Sequence, residues 1–216
     1  MSIPTLVLGQ PGTGKTTSLR NMDPASTLLI QTVKKPLPFR AKAWSYFDKT
    51  ANPKGNIFLA DNAATICTLM RKTSRKVIVL DDSNYVMSNA FMRRASEKGY
   101  EKFTEMACDT FGIFETAANL ADDVRVYLLA HTQQTDDGVT RFKTVGKLLD
   151  EKISLDGLVT ICLRTVVSDG QYYFATRNKG SDTVKTPMSL FDNDLIENDL
   201  AEVDKAIVSF YDLQPA

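Results

Sequence analysis

The chain has 216 residues, 26 Lys+Arg against 26 Asp+Glu, a formal net charge of zero, and 43% hydrophobic and 24% charged residues. These ordinary globular proportions suit one domain, residues 1–216, with a proper core, and the neutral balance excludes bulk electrostatic attraction to nucleic acid, so any such contact has to come from local patches. Three scattered cysteines (Cys67, Cys108, Cys162) without a CxxC pair, and a single histidine, His131, argue against a zinc site and for reduced thiols.

The opening residues, MSIPTLVLGQ, have no charged segment and too short an apolar run for a signal peptide. No run approaches the roughly 18 residues of a membrane span, so the expectation is a soluble, cytoplasmic protein without a membrane partner. PTLVLG reads as a short buried strand. Gly9-Gln10-Pro11-Gly12-Thr13-Gly14-Lys15-Thr16 follows it without a gap and fits G-x-x-x-x-G-K-[ST], the P-loop or Walker A pattern, and Thr17 continues into TTSLRNM, a helix start. Glycines let such a loop turn its amides inward, and those amides with the next helix N-terminus form a cradle for phosphate. Lys15 would reach the terminal phosphates of ATP, and Thr16 would place its hydroxyl on Mg2+.

STLLIQTV is the second predicted strand, KKPLPFRAKAW a proline-interrupted loop, NIFLAD a short strand and NAATICTLMRK a helix. In the loop, KKPLPFR suits a contact with a neighbouring subunit, while Trp44, Tyr46 and Phe47 suit either an exposed anchor or a small core beneath the prolines. RKVIVLDDSN supplies the acid that a P-loop hydrolase needs at the end of another buried strand. Asp81 is the metal-side candidate, and Asp82 the candidate that orients or deprotonates the attacking water. From about Asn84 to Ala121 the chain reads as helical with a break at Lys98-Gly99, and VRVYLLAHT as another buried strand. GLVTICLRTVVSDGQYYFATR reads as a hairpin around Ser168-Asp169-Gly170, and NDLAEVDKAIVSFYDL as a closing amphipathic helix. Strands alternating with helices predict an α/β domain with a mostly parallel central sheet flanked by helices, extended by the late antiparallel hairpin.

The stretches GQPGTGKTTSLRNMDP, KPLPF, VIVLDDSNYVMSNAFMRRASEKGYEKFTEM, LLAHTQQTDDG and KTVGKLLDEKISLDGLVTICLRT occur in one order over nearly the whole chain. In that order they resemble phage-encoded RecA/KaiC-like ATPases of the single-strand annealing, core-only recombinase type. FMRRASEKGYEKF, GKLLDEKISL and SDTVKTPMSLF carry the resemblance most specifically. It implies a RecA-like core, hydrolysis of ATP with Mg2+ stimulated by single-stranded DNA, assembly into a homo-oligomeric ring or filament, and work in recombination beside a phage single-strand-binding protein in the host cytoplasm.

The resemblance also implies a γ-phosphate sensor at His131, Thr132 or Gln133, and a cation lent by a neighbouring subunit at Arg177 or Lys179. RecA proper takes a catalytic glutamate from the strand after the P-loop helix, whereas here that strand ends LLIQTVKK without an acid, which moves water activation to Asp82. Two stretches combine cations with rings and so suit a single strand, whose phosphates pair with cations and whose bases stack. The first holds Arg93, Arg94, Lys98 and Lys102, where interleaved Glu97, Glu101 and Glu105 equally suit a solvated helix or a subunit interface. The second holds Arg141, Phe142, Lys143 and Lys147.

The expected activity is therefore a recombination ATPase. A nucleotide-switch assembly or loader protein that binds ATP without touching DNA is the rival, and a small-molecule kinase fits less well because no arginine-rich lid is evident.

Overall fold

The computed structural model describes residues 2–146 and 152–214. Among them an eight-stranded sheet runs in the order β10-β9-β8-β1-β5-β4-β2-β3. Its strands are β1 (Ile3–Leu8), β2 (Thr27–Gln31), β3 (Ile57–Leu59), β4 (Val77–Asp81), β5 (Arg125–Ala130), β8 (Ile161–Ser168), β9 (Gln171–Ala175) and β10 (Leu195–Glu197). Within it β8, β1, β5, β4, β2 and β3 run parallel to one another, and β9 and β10 extend the sheet antiparallel. A separate ribbon pairs β6 (Thr132–Gln134) with β7 (Thr140–Phe142). Helices α1 (Ala63–Lys72), α2 (Asn84–Arg93), α3 (Glu101–Ala118) and α4 (Leu200–Phe210) flank the sheet.

The unbroken apolar runs of the central strands follow from burial on both faces. Leu6 and Leu8, Leu28 and Ile30, Ile78 and Leu80, and Val126 and Leu128 enter one core with Ile66, Met70, Ile113 and Phe114 of α1 and α3. The alternating residues Val7, Leu29, Val79, Tyr127 and Leu129 enter a second core with Leu200, Val203 and Ile207 of α4. The two cores lock the register, because a slip of one residue would exchange the faces. Side by side, β1, β5, β4 and β2 deliver their C-terminal ends to one edge: Leu8 is level with Ala130, Leu80 with Leu128, and Gln31 with Asp81. In open α/β sheets that edge is where ligands bind.

The predicted hairpin forms with a two-residue turn. Asp169 and Gly170 have φ of 51° and 74°, both in the left-handed region that such turns require. The predicted helix after the P-loop sequence is only a six-residue 3₁₀ segment, Thr16–Asn21. Pro24 disfavours continuation through Asp23. Arg20 instead pairs with Glu197 at 2.8 Å and donates to the Asn198 carbonyl, while Asn21 donates to Asp199, so the segment is tied to the corner before α4. So short a segment offers less of a helix terminus to an anion than the sequence suggests. The break predicted at Lys98-Gly99 lies between α2 and α3, with Gly99 at φ 92°. The β6–β7 ribbon and β10 have no counterpart in the sequence reading.

Candidate functional site

A cavity of about 510 Å³ opens at the strand ends, lined by Pro11, Gly12, Gly14, Lys15, Thr16 and Thr17, by Val33, Lys35 and Pro38 beyond β2, and by Asp82, Tyr85, His131 and Tyr172. It gathers three separate sequence predictions, the glycine-rich loop, Asp82 of the tandem acids and the histidine after β5. Gly12 and Gly14 have φ of 78° and 94°, while Lys15 is right-handed at −49°. Alternation of hand along a loop is what turns successive amides toward one centre. Gly9 has no room for a side chain, since a Cβ there would lie 1.8 Å from Thr165 Oγ1. Thr13 braces the loop, with its hydroxyl 2.6 Å from that of Thr165 and 2.7 Å from the Gln10 carbonyl to which it donates.

Lys15 is folded over its own loop. Its ammonium donates to the Gly9 carbonyl at 2.8 Å and the Gln10 carbonyl at 3.0 Å, and lies 3.3 Å from His131 Nδ1. Burial pushes its pKa down to about 8, against the opposing pull of Asp82 and Asp81. Thr16 donates to Asp81 Oδ1 at 2.9 Å. The other Asp81 oxygen, Oδ2, is buried without a hydrogen-bond partner, and its nearest cation is Lys35 Nζ at 3.9 Å. Burial first, and Asp82 second, push the Asp81 carboxyl up to about 6.

Asp82 begins the turn out of β4 with φ 61°, a left-handed conformation that aspartate tolerates better than most residues. The Thr32 hydroxyl pins this turn, lying 3.2 Å from the Asp81 carbonyl and 2.9 Å from the Asp82 carbonyl. The Asp82 carboxylate is ion-paired with Lys35 and lies 3.4 Å from His131 Nε2. His131 thus stands between Lys15 and Asp82. The neutral tautomer with its proton on Nε2 serves both neighbours. Burial and then Lys15 hold its pKa below the ordinary histidine value, which favours that neutral form. Asn84 fixes the surroundings by accepting from the His131 amide and donating to the Lys143 carbonyl.

An orphaned buried carboxylate oxygen beside a threonine hydroxyl fits a magnesium ion, which keeps several waters and takes one or two protein oxygens together with phosphate. Among the described residues no cluster of three or more His, Cys, Asp or Glu forms a metal cage.

The other predicted residues lie elsewhere. Gln133 is on β6, outside the cavity lining, and its side-chain oxygen accepts from the Thr144 amide at 3.4 Å. Arg177 and Lys179 follow β9, which runs back from the cavity edge, and both pair with Asp194, at 2.9 and 3.7 Å. Arg93 pairs with Asp61, and Arg94 with Glu97 and Glu105. Lys102 is buried, donates to the Arg94 and Glu97 carbonyls and lies over the rings of Phe91 and Phe103. Lys98 and Lys143 are exposed. Phe142 corrects the expectation of a free stacking ring, because it is 2% exposed and packs edge-on against Phe114 in the core. Arg141 is half-buried, and Lys147 lies outside the described residues.

Sequence reasoning missed Lys35, Tyr85, Asn84 and Tyr172. Lys35 was legible in one respect, since it follows the end of β2 by four residues and so belongs to the same edge as the P-loop sequence. The stretch KKPLPFR, read as suited to a subunit contact, lends Lys35 to this site. Tyr172 depends on the hairpin register, which pairs it with Val167 beyond the level of Leu8. Of the aromatic trio, Trp44 is buried and Tyr46, half-buried, donates to Gln31 at 2.7 Å, so these two belong to the small core, whereas Phe47 stacks on Phe58 at 4.4 Å but stays 40% exposed. No protein-family model matches the chain, and no relative is found among curated proteins.

Proposed function

We propose that the protein binds and hydrolyses ATP with Mg2+ through a P-loop in a RecA-like domain, and that single-stranded DNA stimulates it in recombination. The observation that carries the nucleotide reading is that Lys15 and Thr16 line one cavity at the strand ends, with the half-unpaired Asp81 buried just behind them and bonded to the Thr16 hydroxyl. Loop amides and Lys15 would bind the β- and γ-phosphates, for which the ammonium would leave the carbonyls of Gly9 and Gln10. Thr16 and Asp81 would hold magnesium. When bound, that ion neutralises charge developing on the phosphate oxygens. Asp82 would take a proton from the attacking water, and His131, within reach of both Lys15 and Asp82, would register whether a γ-phosphate is there. Asn84 ties His131 to Lys143 and so to the β6–β7 ribbon, which supports communication from the nucleotide to the candidate DNA segment. The DNA and recombination parts of the proposal rest on the resemblance described above, as does a homo-oligomer completed by Arg177 or Lys179.

A second reading is a nucleotide switch that assembles without touching DNA. Two observations favour it: β2, which ends at Gln31 level with Asp81, brings no acid to this edge, unlike the corresponding strand of RecA proper, and Arg93, Arg94 and Lys102 are already engaged within the chain. ATP hydrolysis with Mg2+, measured with and without single-stranded DNA and with Lys15→Ala as control, separates the two. DNA stimulation lost in the variant supports the recombination ATPase. Nucleotide binding indifferent to DNA supports the switch, and equal behaviour of wild type and Lys15→Ala sinks both.

A further inference from the structure

The site holds two carboxylates, Asp81 and Asp82, and two ammonium groups, Lys15 and Lys35. Lys15 is spoken for by the phosphate loop. Lys35 is ion-paired with Asp82 and is also the cation nearest the orphaned Asp81 Oδ2. We propose that Lys35 is the resident counter-cation of the acid pair, holding it while no divalent metal is bound and giving it up when a metal–nucleotide complex enters. This inference rests on the nucleotide reading above and adds a residue that exchanges partners.

The backbone around Lys35 is built for that task. Its carbonyl accepts from Gln31 Nε2 at 3.3 Å and from the Tyr46 hydroxyl at 3.1 Å, and that hydroxyl is itself within 2.7 Å of Gln31 Oε1. Thr32, three residues earlier, is bonded to both carbonyls of the acid pair. The main chain is therefore fixed to the end of β4. The side chain is not: it is 38% exposed and lines the cavity, whereas the carboxylate it meets on Asp82 is only 7% exposed. A buried carboxylate needs a partner. A lysine on a flexible stem supplies one that can leave, unlike the flat fork of an arginine. Charge balance gives the exchange its direction. A dication at Asp81 repels the ammonium, while the incoming polyphosphate adds negative charge in the cavity that Lys35 already lines.

The consequence is competition: Lys35 keeps metal off the acids until nucleotide arrives. Mn2+ serves as the probe, followed by its free-ion paramagnetic signal in titrations without nucleotide and with a non-hydrolysable ATP analogue. For Lys35→Met, Mn2+ alone is expected to bind about tenfold more tightly than to wild type, the size of one close, partly screened charge. The Mn2+–analogue complex is expected to bind no more tightly than to wild type. Lys35→Arg, which keeps the charge, is expected to bind Mn2+ alone as weakly as wild type. Lys35→Gln replaces the Met variant if melting curves show that the latter does not fold. Equal Mn2+ affinity in wild type and the Met or Gln variant overturns the inference while leaving nucleotide binding intact. Failure of the underlying reading has its own signature, equal and negligible analogue binding by wild type and Lys15→Ala, which overturns both.

Discussion

Asp81 is a buried carboxylate with half of its hydrogen-bonding capacity unmet. Its side chain is 1% exposed, one oxygen has no hydrogen-bond partner, and burial holds its pKa up at about 6. The sign of the stability effect follows from proton counting. In the unfolded chain the group loses its proton near the ordinary carboxylate value, before it does in the folded one, so the folded state binds more protons between those values. Stability therefore falls as pH rises from about 4 to about 6, and the loss is complete above that. Asp81→Asn removes the charge but keeps an acceptor for Thr16, and Lys35 retains Asp82. The variant is expected to be more stable than wild type at neutral pH by about 1–3 kcal/mol, and no more stable near pH 4. Melting curves of the nucleotide-free proteins at both pH values check this, and a variant less stable at neutral pH would contradict it. The same variant is expected to lose magnesium-dependent nucleotide binding, since an amide is a poor replacement for the carboxylate.

The corner between α2 and α3 is held by a lysine. Lys102 caps the carbonyls of Arg94 and Glu97 at 3.1 and 2.6 Å, and its ammonium is 5.6 Å from the Phe91 ring centre and 5.5 Å from that of Phe103. Charged hydrogen bonds of this kind contribute about 1.5–3 kcal/mol each. Lys102→Ala is thus expected to destabilise the fold by about 2 kcal/mol, while Lys98→Ala, at an exposed position one residue before Gly99, leaves the melting temperature unchanged. If single-stranded DNA binds this corner, Lys98→Ala weakens it and Lys102→Ala acts through stability. Chemical denaturation beside a binding titration separates the two effects. The β6–β7 ribbon is anchored differently, through the Thr140 amide to the Ser181 carbonyl at 2.9 Å, and Asp182 next to it pairs with Arg164 at 2.8 Å. Since Arg164 is level with Leu8, the ribbon, the segment after β9 and the strand entering the glycine-rich loop are mechanically joined.

At the scale of the molecule, the antiparallel course of β9 carries Arg177 and Lys179 away from the cavity of their own chain. If either cation completes a neighbour's site, hydrolysis requires assembly. The double variant Arg177→Ala, Lys179→Ala is then expected to be inactive at protein concentrations where wild type hydrolyses ATP. Mixing it with inactive Lys15→Ala subunits is expected to restore part of the activity, because one subunit offers an intact nucleotide site and the other an intact cation pair. Full activity in the double variant, or no recovery on mixing, refutes a cation shared between subunits.

The glycine pattern, the two apolar runs that lead into the glycine-rich loop and into Asp81-Asp82, and the turn at Asp169-Gly170 were legible in the sequence because each depends on local chemistry. Glycine alone suits positive φ next to a crowded neighbour, continuous β-branched runs mark strands buried on both faces, and a two-residue turn demands left-handed residues. Only the tertiary structure decided that Gln31 faces Tyr46, that Lys35 completes the acid pair, that Lys102 and Phe142 belong to the interior, and that the segment after the loop stops at Asn21. Those outcomes depend on strand order and on which side chains the packed elements bring together across long stretches of chain. A cation or an aromatic ring in a sequence carries no mark of whether its partner will be solvent, a ligand or a carboxylate fifty residues away.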